Sequence, residues 1–242
     1  LVNYFIKGNI ALTKVDEDYP DNKLSGAVFE VYSDTNGDGK LDKDDTLLGE
    51  MKELDGGVYQ MSELRYGKYL VKETKAPTGF VLDENVYSVS VEENGKTYTV
   101  ENKAGVGFIN AAQKGSLKIV KTSSDGKVEG FSFRVTGVDY DQTFKTDKNG
   151  EIVIEGLRIG DYTVSEVSDK ASAGYILPAD KQATVKVDAT AIVQMHNEFR
   201  DTPKTGDDFN LGLWVSLAAL SVVGAGVLGF GSYKNRKKKK ED

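Results

Sequence analysis

The chain has 242 residues, 29% of them charged and 39% hydrophobic. That balance suits folded modules and excludes a disordered chain. It has no cysteine and one histidine, which excludes disulfides, zinc–thiolate and iron–sulfur centres, thiol nucleophiles and most histidine-based metal or triad chemistry. A net charge of −7 argues against a nucleic-acid partner. The charge is uneven: residues 1–205 hold 25 Lys/Arg against 34 Asp/Glu, whereas 206–242 hold 6 against 4, with every basic residue after Ser232.

Three phrases recur in the same order. Gly8-Asn9-Ile10-Ala11-Leu12-Thr13-Lys14 returns as Gly115-Ser116-Leu117-Lys118-Ile119-Val120-Lys121. Leu64-Arg65-Tyr66-Gly67-Lys68-Tyr69-Leu70-Val71-Lys72-Glu73 returns as Leu157-Arg158-Ile159-Gly160-Asp161-Tyr162-Thr163-Val164-Ser165-Glu166. Val106-Gly107-Phe108-Ile109-Asn110 returns as Val193-Gln194-Met195-His196-Asn197. Two tandem modules follow, residues 8–112 and 114–200. Asn3 stands ahead of Lys7-Gly8 as Asn110 stands ahead of Lys114-Gly115. Residues 1–7 therefore read as the end of a preceding module and its linker, and the chain as the C-terminal piece of a longer protein.

Within each module, short alternating runs such as Ala27–Tyr32 and Tyr87–Val91 are separated by Gly, Asn and Asp turns, and Tyr19–Lys23 reads as one such turn. No amphipathic helix of useful length is visible in 1–200, so the pattern predicts antiparallel β-sandwiches. Strand side chains alternate faces. Parity with Ile10 and Leu12 turns Lys14 inward; parity with Tyr69 and Val71 does the same for Glu73, and with Val106 and Phe108 for Asn110. Lys121, Glu166 and Asn197 repeat the set in the second module. An unpaired buried charge costs several kcal/mol, so the three must satisfy one another or lie at strand ends. One form that meets that need is a noncovalent Lys–Glu ion pair hydrogen-bonded to the Asn amide.

Between the early strands of the first module lies Asp34-Thr35-Asn36-Gly37-Asp38-Gly39-Lys40-Leu41-Asp42-Lys43-Asp44-Asp45. Oxygen-bearing residues fall at positions 1, 3, 5, 9 and 12 of a twelve-residue loop, with Gly39 at the sharp turn, as in an EF-hand calcium loop. Phe29 to Glu73 spans 44 residues and the matching Phe133 to Glu166 spans 33, so the loop reads as an insertion. The candidate Ca²⁺ ligands are Asp34, Asn36, Asp38, Lys40, Asp42 and Asp45. The alternative is an acidic hairpin loop without an ion.

Gly26-Ala27-Val28-Phe29 and Tyr69–Phe80 (YLVKETKAPTGF) resemble the early strand and E-box of the collagen-adhesin B-type, SpaA-like pilin modules, and the resemblance covers about 8–200. It implies tandem Ig-like, prealbumin-like β-sandwiches. It also implies an intramolecular isopeptide bond from Lys14 to Asn110 with Glu73 as proton shuttle, and from Lys121 to Asn197 with Glu166. The second E-box lacks the Thr and Pro of the first.

Residues 201–242 have three parts in order. Thr202-Pro203-Lys204-Thr205-Gly206 comes first, then Leu211–Gly231 without a charge, then Tyr233-Lys234-Asn235-Arg236 and four lysines. At 1.5 Å per residue the uncharged stretch reaches roughly 30 Å as a helix, the thickness of a bilayer core, so it is expected to be one transmembrane helix with a cytoplasmic basic end. The order resembles a Gram-positive cell-wall sorting signal, with Thr202 in place of the usual Leu. The resemblance implies cleavage by a sortase between Thr205 and Gly206 and transfer of the Thr205 carboxyl to a peptidoglycan precursor or a pilin lysine. The expected protein is all-β with a terminal span. It would be a non-enzymatic, wall-anchored stalk of an adhesin or pilus-associated protein, whose host or matrix ligand is bound by upstream domains. The alternatives are a polymerising pilin or the anchor of a surface enzyme with its catalytic domain upstream.

Overall fold

The computed structural model describes residues 4–200, and all regular structure among them is β-strand. In the first repeat, β1 (Lys7–Asp16) lies between β5 (Val58–Arg65), antiparallel to it, and two short strands parallel to it, β8 (Thr97–Thr99) and β9 (Phe108–Asn110); β4 (Lys52–Glu53) extends the edge. The facing sheet runs β3 (Thr46–Glu50), β2 (Val28–Ser33), β6 (Gly67–Lys75), β7 (Val86–Val91), all antiparallel.

The second repeat reproduces this plan. One sheet is β13 (Glu151–Arg158), β10 (Lys114–Ser123), β17 (Thr190–Phe199) and β15 (Tyr175–Ile176), with β17 parallel to β10. The other is β12 (Tyr140–Lys145), β11 (Ser132–Gly137), β14 (Gly160–Val167) and β16 (Lys181–Val185). The inserted loop lies where the spacing places it. Asp34–Asp45 joins β2 to β3, whereas Val138 and Asp139 alone join β11 to β12.

Each module closes its own core. Phe29 lies edge-on to Tyr59 and Phe108 within the first cluster, and the half-buried Tyr87 packs against it edge-on to Phe108. Leu117, Ile119, Phe131, Phe133, Tyr162 and Met195 anchor the second. Full burial of such a side chain stabilises by about 1.5–3 kcal/mol. The glycine that opens the first repeated phrase has a steric cause. Both modules carry a bulge there, between Gly8 and Ile10 and between Gly115 and Leu117. A Cβ on Gly8 would stand 2.8 Å from the Lys96 carbonyl oxygen, and one on Gly115 2.1 Å from that of Lys186.

The modules meet at a short joint. Ala111 accepts from Val81 N (2.9 Å), Gln113 N donates to Gly79 O (2.8 Å), and Ile159 N donates to Gln113 O (3.1 Å). Arg158 of the second module grips Asp16 of the first with both terminal nitrogens, at 2.7 and 2.8 Å, and reaches Asp18 at 3.0 Å. Burial pushes the Asp16 carboxyl up, but the Arg158 hydrogen bonds and charge outweigh it and hold the group below the usual carboxylate range.

Candidate functional site

The structure brings together the three inward polar residues of each module. In the first, Lys14 and Asn110 come from the parallel pair β1 and β9, and Glu73 from β6 in the facing sheet. Lys14 and Glu73 are 0% exposed and Asn110 3%. Asn110 Nδ2 donates to both Glu73 oxygens at 2.9 Å, and Lys14 Nζ lies 4.0 Å from Glu73 Oε1. The ammonium also donates to the Phe108 carbonyl (3.0 Å) and faces the Phe108 ring at 5.3 Å. Asn110 Oδ1 is buried without a partner.

The second module repeats the residue set and the Asn–Glu hydrogen bond. Lys121, Glu166 and Asn197 are buried, Asn197 Nδ2 donates to Glu166 Oε1 at 2.6 Å, and Lys121 Nζ sits 4.2 Å over the Phe131 ring while donating to Thr122 O. Here Glu166 Oε2 and Asn197 Oδ1 are both buried without partners.

Burial sets the protonation chemistry. It lowers the Lys14 amine from an ordinary 10.5 to about 8, against the opposing charge of Glu73. It raises the Glu73 carboxyl, against hydrogen bonds from the Asp83 backbone and Asn110. Lys121 is lowered and Glu166 raised, again chiefly by burial. Both shifts disfavour charge, so a neutral amine and a protonated acid are each easier to reach here than in water. Such a set holds a nucleophile, an amide carbon and a proton carrier out of water.

Strand alternation gives no sign of the groups that stand behind Glu73 and Asn110 in the first module. Asp83 N donates to Glu73 Oε2 at 2.9 Å. The Asp83 carboxylate accepts from Tyr87 Oη (2.6 Å) and Asn102 Nδ2 (2.8 Å). Asn102 clasps Ile109 through both backbone groups, Oδ1 accepting at 2.6 Å and Nδ2 donating at 2.8 Å. It thereby fixes the strand that carries Asn110. Both Asp83 and Asn102 lie outside the strands, where alternation gives no signal.

The Asp34–Asp45 loop is knitted by its own backbone. Asp34, largely buried, accepts from Gly37 N (2.7 Å) and Gly39 N (3.1 Å). Asn36 accepts from Asp38 N, Asp38 from Lys40 N, and Asp45 from Thr35 N and Asp42 N. Asn36 Nδ2 donates to Asp42 at 3.3 Å, and Lys68 Nζ reaches Gly37 O at 3.1 Å. Gly37 and Gly39 take φ of +74° and +75°, which only glycine adopts without strain. The oxygen-only donor set suits a hard cation. Among the described residues, however, no group of three or more His, Cys, Asp or Glu side chains is arranged to hold a metal ion.

His196 lies on the surface of β17, touching Thr122 Oγ1 (2.8 Å) and Glu198 (3.1 Å). Thr202, Pro203, Lys204, Thr205, Gly206 and the 211–231 span lie outside the described residues. Among the described residues no helix is long and apolar enough to cross a membrane.

The described residues thus form tandem β-sandwiches, each with a buried Lys–Glu–Asn set between first strand, last strand and facing sheet. The SpaA prealbumin-like fold domain matches residues 8–104 and 115–199, and the chain belongs to that family. Among solved structures, the Bacillus anthracis TIE protein is 25% identical with a TM-score of 0.59, over 80% of this chain and 34% of that one. This chain thus spans about a third of that relative. The minor pilin GBS52 of Streptococcus agalactiae is 17% identical (TM-score 0.36; 83% of this chain, 100% of that one). The shaft pilin SpaA of Lactobacillus rhamnosus GG is 14% identical (TM-score 0.35; 81% and 99%). No curated protein matches the chain.

Proposed function

We propose that this chain is a structural stalk segment of a sortase-anchored Gram-positive surface protein, stiffened by Lys14–Asn110 and Lys121–Asn197 isopeptide bonds. The observation that carries the reading is the buried Lys–Glu–Asn set, built twice from equivalent strands. Lys14 Nζ, as the neutral amine, attacks Asn110 Cγ. The Nζ–Cγ bond forms and the Cγ–Nδ2 bond breaks. Glu73 carries the proton lost by Nζ to Nδ2, which leaves as ammonia. Glu73 already accepts from Nδ2 with both oxygens, so it stands at the leaving group. Glu166 takes the same role beside Asn197. The reaction turns over once, on the protein itself, and assigns residues 1–242 no external substrate.

The 201–242 segment supplies the anchor in this reading. The span and basic tail hold the chain at the membrane while a sortase joins Thr205 to a wall amine or a pilin lysine. The modules then hold distal binding domains away from the wall, at the cell surface. Two measurements test the proposal. Intact mass of the folded chain should fall below the sequence mass by two ammonia molecules. Wall digests should release a peptide ending at Thr205 with a wall fragment attached. An unreduced mass overturns the cross-links, and recovery of 211–231 in the mature surface protein overturns the sorting.

A further inference from the structure

The joint between the modules has a counterpart at the opposite end of the first module. Arg65 ends β5 as Arg158 ends β13, and each pairs in register with the lysine that opens the neighbouring strand, Lys7 or Lys114. Tyr69 Oη donates to Arg65 O (2.6 Å) as Tyr162 Oη donates to Arg158 O (2.8 Å). Tyr66 N donates to Ile6 O (3.0 Å) as Ile159 N donates to Gln113 O (3.1 Å). The two faces are therefore built alike, down to the strap that enters each module.

They differ in what covers them. Arg158 is gripped by Asp16 and Asp18, its guanidinium lies 4.9 Å from the Tyr19 ring, and Lys114 pairs with Asp18 at 3.1 Å. Arg65 instead lies 4.5 Å over Phe5. Around it Tyr4, Phe5 and Tyr66 are 86%, 68% and 65% exposed. A cation on an apolar platform at the surface matches what the acidic, tyrosine-bearing end of a first-type module covers at the other joint.

We propose that the Arg65 face is a docking socket for the acid-bearing end of a further module of this family, one with an Asp-x-Asp pair two residues past its first-strand lysine, as Asp16 and Asp18 follow Lys14. A second copy of this chain does not supply that end. Its Asp16 and Asp18 are held by its own Arg158. The equivalent positions in its second module are Ser123 and Asp125, and Asp125 accepts from Tyr175 Oη (2.6 Å) and Ser123 Oγ (2.7 Å). The partner is thus a separate module joined in line ahead of Tyr4, where Tyr4–Ile6 take the place of Ala111–Gln113. This inference is independent of whether the cross-links form.

The test is a fusion in which a second copy of residues 7–110 is placed directly before Tyr4 of the whole chain, with spin labels on the added module and on the present first module. A single narrow distance distribution is expected. Arg65→Ala should broaden it, and Arg65→Asp combined with Asp16→Arg and Asp18→Arg in the added copy should restore it. A distribution equally broad with Arg65 and with alanine overturns the socket. Should the fusion not fold, the unaltered chain is titrated with the peptide Asp-Glu-Asp-Tyr at millimolar concentration while the Arg65 side-chain NMR signal is followed. A shift at Arg65 and none at Arg134 supports the socket, and no shift at Arg65 overturns it.

Discussion

Lys14 pairs in register with Phe108, so Asn110 falls two residues further along the parallel strand, on the same face. Lys121 pairs with Met195, and Asn197 follows at the same offset. Two steps along a strand cover about 6.5 Å, a distance the long lysine side chain spans. The carboxyl of the facing sheet then closes the third side. A repeated offset with a repeated acid is what an in-chain amide transfer requires.

Glu73→Ala should therefore abolish one ammonia loss and leave the second module's intact, and Lys14→Ala should remove the same one. Such a bond would close nearly the whole first module into a ring, so its absence would free the unfolded chain by about 4–5 kcal/mol. The melting temperature of the first module should drop accordingly in Glu73→Ala. Two ammonia losses persisting in Glu73→Ala would show that the acid is no shuttle.

The unreacted site carries a pH signature. Asn110→Ala leaves Lys14 without its target, with its amine lowered to about 8 in the fold against an ordinary 10.5. Between those values the unfolded chain binds more protons than the folded one, so stability rises with pH across that window, by at most about 3 kcal/mol. Glu73, raised by burial, acts in the opposite sense as pH climbs from its ordinary value. Denaturant melts of Asn110→Ala at pH 7.5 to 10.5 should show the gain, and Lys14→Met/Asn110→Ala should lack it. Equal slopes in the two proteins would mean that the fold does not lower the Lys14 amine.

How far the sequence disclosed this site follows from strand geometry. Alternation turned Ile10, Leu12 and Lys14 to one face, and the same arithmetic placed Glu73 and Asn110, because each sits on a regular strand beside buried apolar neighbours. Asp83 and Asn102 were illegible since they act from loops, through backbone contacts that no period reports. The joint was hidden for another reason. Asp16 and Arg158 are 142 positions apart, and a single long-range charge pair carries no pattern in sequence. The second module's last strand runs unbroken through Thr190–Phe199, while the first is split into Thr97–Thr99 and Phe108–Asn110. The repeat showed matching ends and left that interruption unseen.

Calcium remains a proposal for the Asp34–Asp45 loop, on oxygen spacing and the Asp34 turn geometry. Binding to the folded state alone raises the melting temperature. Millimolar Ca²⁺ should raise that of the first module relative to chelator, and Asp34→Ala or Asp38→Ala should remove the difference. Identical melts in Ca²⁺ and chelator would leave the loop as an acidic hairpin.

Arg158 should fix how the two modules move together. Its side chain is 14% exposed and that of Asp16 3%, so the pair is largely shielded from solvent screening. Bidentate, charge-assisted geometry adds direction as well as energy. Arg158→Ala would leave a buried Asp16 carboxylate, already below its usual range, without its counter-ion, at a cost of about 1–3 kcal/mol. The module cores do not depend on the pair, so the loss should appear chiefly as motion. Residual dipolar couplings should fit one common alignment tensor for both modules in the native chain and need two in Arg158→Ala. Acid should act like the mutation. Because the Asp16 value is depressed in the fold, its contribution is complete above an ordinary 3.8 and is lost as pH falls through the lower folded value. Arg158→Lys keeps the charge but not the fork, and should hold the modules only partly. A common tensor surviving in Arg158→Ala would show that the backbone strap through Ala111 and Gln113 holds the joint unaided, and the clamp would lose its role.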